Sequence, residues 1–357
     1  MRDVNMNMET PHLIKNLAIG LFVACFFAFL PVTHANSNDW QKGASIVPIN
    51  TTTFSSPEFK QELQNLKNDN ANYVDLIIPL YQKDAASSVI FAGGDTPTDA
   101  SIIDAIDYAH SLGLKVALKP HVELLTGAWR ATIDPTNRYT WFLNYATILN
   151  RYALIAKTHK VEQFVVGTEL VYLTDSQHNP LNTLLWRWLI QNIRTTYKGS
   201  ISYAANWGPG IWDEKNKIAF WDAVDIVGVD AYYPVGTDAE NNTVEYLTSS
   251  WGTYADDVAK FSKKVGKPII FSELGYRSAT GAHMKPWDFG NATSSNTVEQ
   301  ANLYEALFRY WSHSPYVAGV HIWGFESTKQ IGPEDAGYSP QNKPAEQVIQ
   351  NWFGKKL

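Results

Sequence analysis

Cysteine is nearly absent from this 357-residue chain: the single thiol, Cys25, lies in an apolar run close to the N-terminus. A chain that loses that run has no disulfide and no thiol nucleophile, so its stability must come from its core. Charge is sparse as well, at 18% of residues with a formal net charge of −6. This balance argues against nucleic acid or an anionic membrane surface as the main partner. Several signatures are missing altogether. There is no glycine-rich phosphate loop of either common type, so no nucleotide cofactor is expected. No G-x-S-x-G elbow marks a serine hydrolase. No H-E-x-x-H helix or Cys/His cluster marks a metal site, and His121-Val122-Glu123 is only a fragment of one. Between residues 36 and 357 there is also no linker, charge block or low-complexity segment to divide the chain.

What is abundant is aromatic. Most of the 13 Trp, 18 Tyr and 16 Phe are expected to fill the core, and the excess of Trp leaves room for flat rings in a groove. At the N-terminus, Lys15 precedes the apolar run Leu17–Leu30, which falls short of the roughly 20 residues a spanning helix needs. The run ends in Thr33-His34-Ala35, a small-residue cleavage pattern, and residues 1–35 are therefore expected to be a signal peptide. Met6 or Met8 is an alternative start, and an uncleaved anchor is the rival reading. Export places the mature chain, residues 36–357, outside the cytoplasm, in the periplasm or secreted, with no membrane attachment.

Along that mature chain, β-branched runs alternate with helix-like stretches. Strands are expected at 44–50, 73–81, 115–123, 163–169, 201–207, 225–233, 268–275 and 317–325. Helices are expected at 57–69, 98–112, 138–159, 183–198, 244–265, 297–313 and 344–353. Strand starts spaced by roughly 40 residues leave room for one crossover per repeat, which parallel strands require. Eight such units predict a single (β/α)₈ TIM barrel. An open doubly wound sheet is the alternative, but no glycine-rich loop follows the first strand. Period-2 alternation places Val116 and Leu118 on one face of the third strand, with Lys119, His121 and Glu123 on the other. In the sixth strand Asp230 and Tyr232 oppose Val227 and Val229, and in the eighth His321 and Trp323 oppose Val320 and Ile322. The polar sets point inward and gather toward the C-terminal strand ends, where barrels of this kind carry their chemistry. The long stretches 124–137 and 276–297 fall on the same end.

Two glutamates close apolar strands there: Glu169 in QFVVGTEL and Glu273 in PIIFSELGY. Burying a carboxylate at the end of an apolar strand is costly unless it has a partner or a task. Two of them over a barrel mouth suit glycoside hydrolysis, in which one protonates the leaving oxygen and the other attacks the anomeric carbon. Each alone is equally readable as a salt-bridged glutamate.

The ordered set GTEL at 167–170, VGVDAYYP at 227–234, SELGY at 272–276 and GVHIWGF at 319–325 resembles glycoside hydrolase family 113. These β-mannanases belong to the large clan of retaining barrel glycosidases with glutamates on strands 4 and 7. The resemblance implies that Glu169 is the acid/base and Glu273 the nucleophile, and that Trp323 is the floor beneath the reacting sugar. One position departs from most of the clan. Thr168 stands where an asparagine usually contacts the substrate 2-hydroxyl, which puts gluco-configured substrates in doubt.

Other substrate-binding candidates follow from the strand faces. Tyr232 is placed to hydrogen-bond Glu273, with Tyr233 as the alternative. Lys119 and His121, with Glu123, either reach sugar hydroxyls or form an internal ion cluster with Asp230. Asn206 and Trp207 end the fifth strand beside the acid/base, whereas Asp213 and Glu326 read as loop charges. The expected protein is thus a monomeric, cofactor-free retaining glycosidase acting on β-1,4-mannosidic linkages of a polysaccharide or oligosaccharide. Another β-glycan as substrate, or a binding barrel that has lost catalysis, are the alternatives. Retention of both glutamates argues against the latter.

Overall fold

The computed structural model describes residues 40–290, 294–327 and 331–357; the expected signal peptide at 1–35 lies outside them. Eight parallel strands form the centre: β1 (Gln41–Ile46), β2 (Tyr73–Gln82), β3 (Lys115–Leu124), β4 (Gln163–Thr168), β5 (Ser200–Asn206), β6 (Ile226–Asp230), β7 (Ile269–Leu274) and β8 (Val317–Phe325). Each pairs with its sequence neighbour, and β8 returns to pair with β1. The sheet is therefore closed, and the fold is the (β/α)₈ barrel that the alternation predicts. A two-residue strand, Phe91–Ala92, adds antiparallel to the end of β2.

The surrounding helices are α1 (Pro57–Asn68), α2 (Asp99–Ser111), α3 (Arg138–Thr158), α4 (Asn182–Thr196), α5 (Val244–Ser250), α6 (Gly252–Val265), α7 (Thr297–Trp311) and α8 (Pro344–Phe353). Their starts are written in short polar residues. Ser56, Thr98, Asn137 and Asn296 each accept a hydrogen bond from the backbone N–H three residues on, satisfying a donor that the first helical turn leaves free. In α1, Phe59, Leu63 and Leu66 are buried, one stripe at helical spacing. Gly266, at φ +70°, ends α6 in the left-handed conformation that glycine adopts without a Cβ clash.

Two elements differ from the sequence expectations, and one crossover lacks the long helix of a regular barrel repeat. β1 begins at Gln41 rather than at residue 44, because the Gln41 amide oxygen meets His321 Nε2 at 2.9 Å inside the barrel. The stretch 244–265 is two helices, broken where the fully buried Trp251 turns into the core. Between β5 and β6 the crossover contains only short turns, the longest being the four-residue helix Glu214–Lys217.

The core lies between the barrel and its helices, with Trp141, Trp186, Trp251 and Trp311 fully buried. Inside the barrel, polar residues satisfy one another across strands, neighbouring and distant. Asp75 on β2 meets His321 Nδ1 on β8 at 2.7 Å, and it also accepts from Ser45 on β1 at 3.0 Å. Above this layer, Lys119 on β3 reaches β7. Buried polar groups are tolerated only with such partners.

Candidate active site

The two strand-end glutamates sit in contrasting surroundings. Glu273, only 4% exposed, receives Lys119 Nζ on Oε1 at 2.6 Å and Tyr232 Oη on Oε2 at 3.2 Å. His121 Nε2 lies 3.5 Å from the same Oε1. Burial would push this carboxyl up, but Lys119, His121 and Arg130 outweigh it and hold it below the ordinary range. Lys119 Nζ also donates to Ser272 O at 3.2 Å and stands 3.7 Å from Asp230 Oδ1. Burial works against its charge, yet Asp230 and Glu273 keep it protonated. Asp230 itself accepts from Ser272 Oγ at 2.8 Å. Its carboxyl is pushed well up by burial and by Glu273. The single cation is thus matched to Glu273, the nearer of the two acids.

Glu169 is also buried, at 7% exposure, but its carboxyl is raised. Burial is the main cause and the Glu273 charge adds to it, while Arg130 and the Trp129 hydrogen bond pull the other way. Both donors meet Oε2, Trp129 Nε1 at 2.9 Å and Arg130 Nη1 at 3.0 Å. The backbone here is unusual. Glu169 has φ +51°, a left-handed conformation that costs a residue other than glycine about 1–3 kcal/mol. Neighbouring bonds hold it in place. The Glu169 N–H donates to Ala204 O at 2.9 Å, and the next N–H, of Leu170, donates to Tyr203 Oη at 2.9 Å. Tyr203 in turn donates to the fully buried Glu214 at 2.6 Å. Glu214 further accepts from Thr174 Oγ1 and from the Asn206 N–H. Burial pushes it up to about 8 against these bonds.

Glycine packing lets the two strand ends close in. A Cβ on Gly167, in the GTEL segment, would stand 2.7 Å from both Trp186 and Tyr203. One on Gly275, in SELGY, would stand 2.2 Å from Trp323 O.

Of the residues proposed from sequence, Lys119, His121, Asp230, Tyr232 and Glu273 are brought together as one cluster. Tyr232 reaches Glu273 although β6 ends two residues earlier, at Asp230. Lys119 takes the ion-cluster option. Burial and Arg130 lower His121 to about 4, so its imidazole is neutral near pH 7. Trp323 stacks on His121 at 6.1 Å with an interplanar angle of 4°. Thr168 is buried at the end of β4, its hydroxyl without a protein partner among the described residues. Asn206 and Trp207 stand outside this cluster, each with partners of its own. Asn206 Nδ2 donates to Trp212 O at 3.0 Å, and Trp207 packs on Tyr233 and Trp287.

Trp129, Arg130 and Glu214 were not anticipated. The first two lie in the long 124–137 segment, where a Trp-Arg pair was the available signal. Glu214 sits in the run Asp213-Glu214-Lys215, which reads as a solvated turn, and its burial has no sequence signature.

Aromatic rings line both sides of the carboxylates. Trp129 contacts Trp212 at 5.0 Å, and Trp212 stacks with Tyr172 at 6.0 Å. Across the site, a pocket of about 480 Å³ is walled by Trp323, Tyr338, Phe289 and Arg277. Trp323, whose ring stacks on His121, is the residue this pocket shares with the cluster around Glu273. Groove walls of this kind, with a few fixed polar groups at the centre, are what a sugar chain requires.

Comparison with known proteins fits this geometry. The family model for Glycoside Hydrolase Family 113 matches residues 47–343. No curated protein matches the sequence significantly. Among solved structures, one GH113 β-1,4-mannanase complex is 27% identical with a TM-score of 0.78, over 88% of this chain and 99% of the other. The GH113 β-mannanase AaManA from Alicyclobacillus acidocaldarius, in complex with ManMIm, is 27% identical with a TM-score of 0.77, over 89% and 98%. A β-glucuronidase from Ruminococcus gnavus, 14% identical at a TM-score of 0.58 over 88% of this chain and 50% of that one, shares the fold alone.

Proposed function

Because the chain belongs to glycoside hydrolase family 113, we propose that it hydrolyses β-1,4-mannosidic linkages with retention of configuration, Glu273 acting as nucleophile and Glu169 as acid/base. The observation that carries this reading is the opposite environment of the two carboxyls: Glu273 held ionised, Glu169 held toward its acid form. Two titratable groups pushed apart in this way divide the roles of base and acid between them.

In the first step a Glu273 oxygen bonds to the anomeric carbon as the glycosidic C–O bond breaks. Glu169 delivers its proton to the departing oxygen, leaving a glycosyl-enzyme ester and an ionised Glu169. In the second step Glu169 takes a proton from water, whose oxygen displaces Glu273 and restores both groups. Lys119 and Tyr232 aim the nucleophile and keep it charged between turnovers. Trp323 offers a flat face to the sugar in the reacting position. The substrate preference is supported by the two GH113 mannanase structures and by Thr168 being shorter than the asparagine that most of the clan carries there. The chain is further proposed to act outside the cytoplasm after removal of residues 1–35. Mass spectrometry of exported protein should then find a start near Asn36, whereas an intact N-terminus on membrane-bound protein would refute export.

The test of function is a screen of purified protein on mannan, glucomannan, xylan, cellulose and chitosan, with the first-formed product read by NMR. Cleavage of mannan to a β-configured product is expected. An α-configured product would overturn the mechanism, and a preference for xylan or cellulose would overturn the substrate assignment.

A further inference from the structure

The charge that touches Glu169 is shared. Arg130 is 13% exposed in its side chain and extends one guanidinium nitrogen, Nη1, to Glu169 Oε2 at 3.0 Å. Its other terminal nitrogen, Nη2, is hydrogen-bonded to Glu123 Oε1. Glu123 is the penultimate residue of β3; it lies on the strand that also carries Lys119 and His121, and its Oε1 stands 3.8 Å from His121 Nδ1. A general acid gripped by an arginine alone is poorly suited to its task, since a fixed cation favours the ionised form. Glutamates of matched charge on both sides of the guanidinium change that balance.

We propose that Glu123 is a positioning residue for the acid/base: by occupying one end of Arg130, it lets the other end orient Glu169 without locking Glu169 in its ionised form. The inference rests on the assignment of Glu169 as acid/base made above. Geometry supports it from every side of the pair. β3 contributes Lys119, His121 and Glu123, and the following loop contributes Arg130 and the Trp129 N–H. From β7 comes Glu273, from β6 Asp230 and Tyr232, and from the turn after β5 Glu214. Within this group Arg130 is the cation in hydrogen-bond contact with Glu169, and Glu123 is the second carboxylate in contact with Arg130. Arg130's charge counts against protonation of Glu169, and Glu273's counts in favour. Removing the Glu123 charge therefore leaves Arg130 to act on Glu169 undivided.

The experiment is the pH profile of kcat/KM on a manno-oligosaccharide, whose poor leaving group needs the proton. In Glu123→Gln the alkaline limb should move to lower pH by about one unit, the size of effect one neighbouring charge has, with the acid limb in place. On an aryl mannoside with a good leaving group, kcat/KM should change less than threefold. The same substitution placed in an Arg130→Gln background should leave the limb where Arg130→Gln alone puts it, because the cycle isolates coupling through that cation. An unshifted limb in Glu123→Gln, or an equal shift with and without Arg130, would overturn the proposal. If Glu123→Gln does not fold, Arg130→Gln carries the test, and its alkaline limb must move upward. A wild-type protein with no activity on any β-glycoside refutes the functional assignment instead, so the two failures are separable.

Discussion

Replacing Lys119 by methionine keeps its length and apolar stem while deleting the charge beside Glu273, the proposed nucleophile. Two unit charges separated by 2.6 Å, as Lys119 Nζ and Glu273 Oε1 are, interact by about 6 kcal/mol at an effective dielectric constant of about 20. That is an upper bound on the change in proton affinity, because Arg130 and Tyr232 remain and the site relaxes. Half of it, about 3 kcal/mol, corresponds to roughly two pH units. The sign is set by the direction of the shift: Lys119 holds Glu273 below its ordinary range, so its loss raises Glu273 and protonates the nucleophile at a pH where the wild type is ionised. The acid limb of kcat/KM on a manno-oligosaccharide should therefore move up by about two units, with kcat/KM falling about 100-fold at pH values below both limbs and only a few-fold near pH 6. Activity should recover in part as the pH is raised, which a misfolded variant would not show. Melting in parallel should show a less stable protein, since Asp230 and Glu273 lose the cation they share. An acid limb that stays in place, with activity retained, would show that Lys119 is a structural filler and that Glu273 owes its charge to other groups.

Alanine at each glutamate separates their roles. Glu273→Ala should abolish turnover on every substrate, while Glu169→Ala should lose about 10²–10⁴-fold on manno-oligosaccharides, far less on activated aryl glycosides, and should be accelerated by azide. The reverse pattern would exchange the assignments. Thr168→Asn should narrow the kcat/KM preference for manno- over cello-oligosaccharides, and an unchanged ratio would remove this side chain from the specificity argument. Away from the site, Glu62 is raised by burial from its ordinary 4.5 to about 8, against hydrogen bonds from Asn65 and Gln341. The native state then keeps a proton that the unfolded chain gives up above pH 4.5, so this residue's contribution to stability declines as pH rises from there to about 8. Glu62→Gln should accordingly raise the melting temperature by a few degrees at pH 8 and change it little at pH 4.5; a gain at both values would point to packing instead.

The barrel was legible because its signal is periodic and repeated: eight apolar runs with inward polar positions survive an error of a few residues at any one. The first strand shows such an error. Ser45-Ile46-Val47 looks more strand-like than Gln41-Lys42-Gly43, and only the distant His321 explains why Gln41 is inside. Glu169 and Glu273 stood out because charge at the end of an apolar strand is conspicuous. Lys119, Asp230 and Tyr232 followed from alternation, although the pairing of Lys119 with Glu273 joins strands four apart in sequence order. Trp129 and Arg130 escaped because loop residues carry no period, and Glu214 because a charged tripeptide looks the same whether it is exposed or bonded to a buried tyrosine. Asn206 marked the right strand end, but its amide turns to Trp212 O, a preference that depends on a turn the sequence does not announce.

The left-handed backbone at Glu169 sets stability and turnover against each other at a single residue. Glycine relaxes at φ +51° and asparagine tolerates it, so either would relieve the backbone at the β4 end while removing the proposed acid/base. Selection for folding alone would then drive this position away from glutamate. In a lineage that stopped cleaving glycans but kept the barrel for binding, position 169 is the expected first casualty, well before the Lys119–Glu273 pair, whose loss would also open a hole in the electrostatics of the interior. With Glu169 as the proposed acid/base, glutamate at a position the backbone would rather give to glycine is what selection for catalysis, and not for folding alone, would keep.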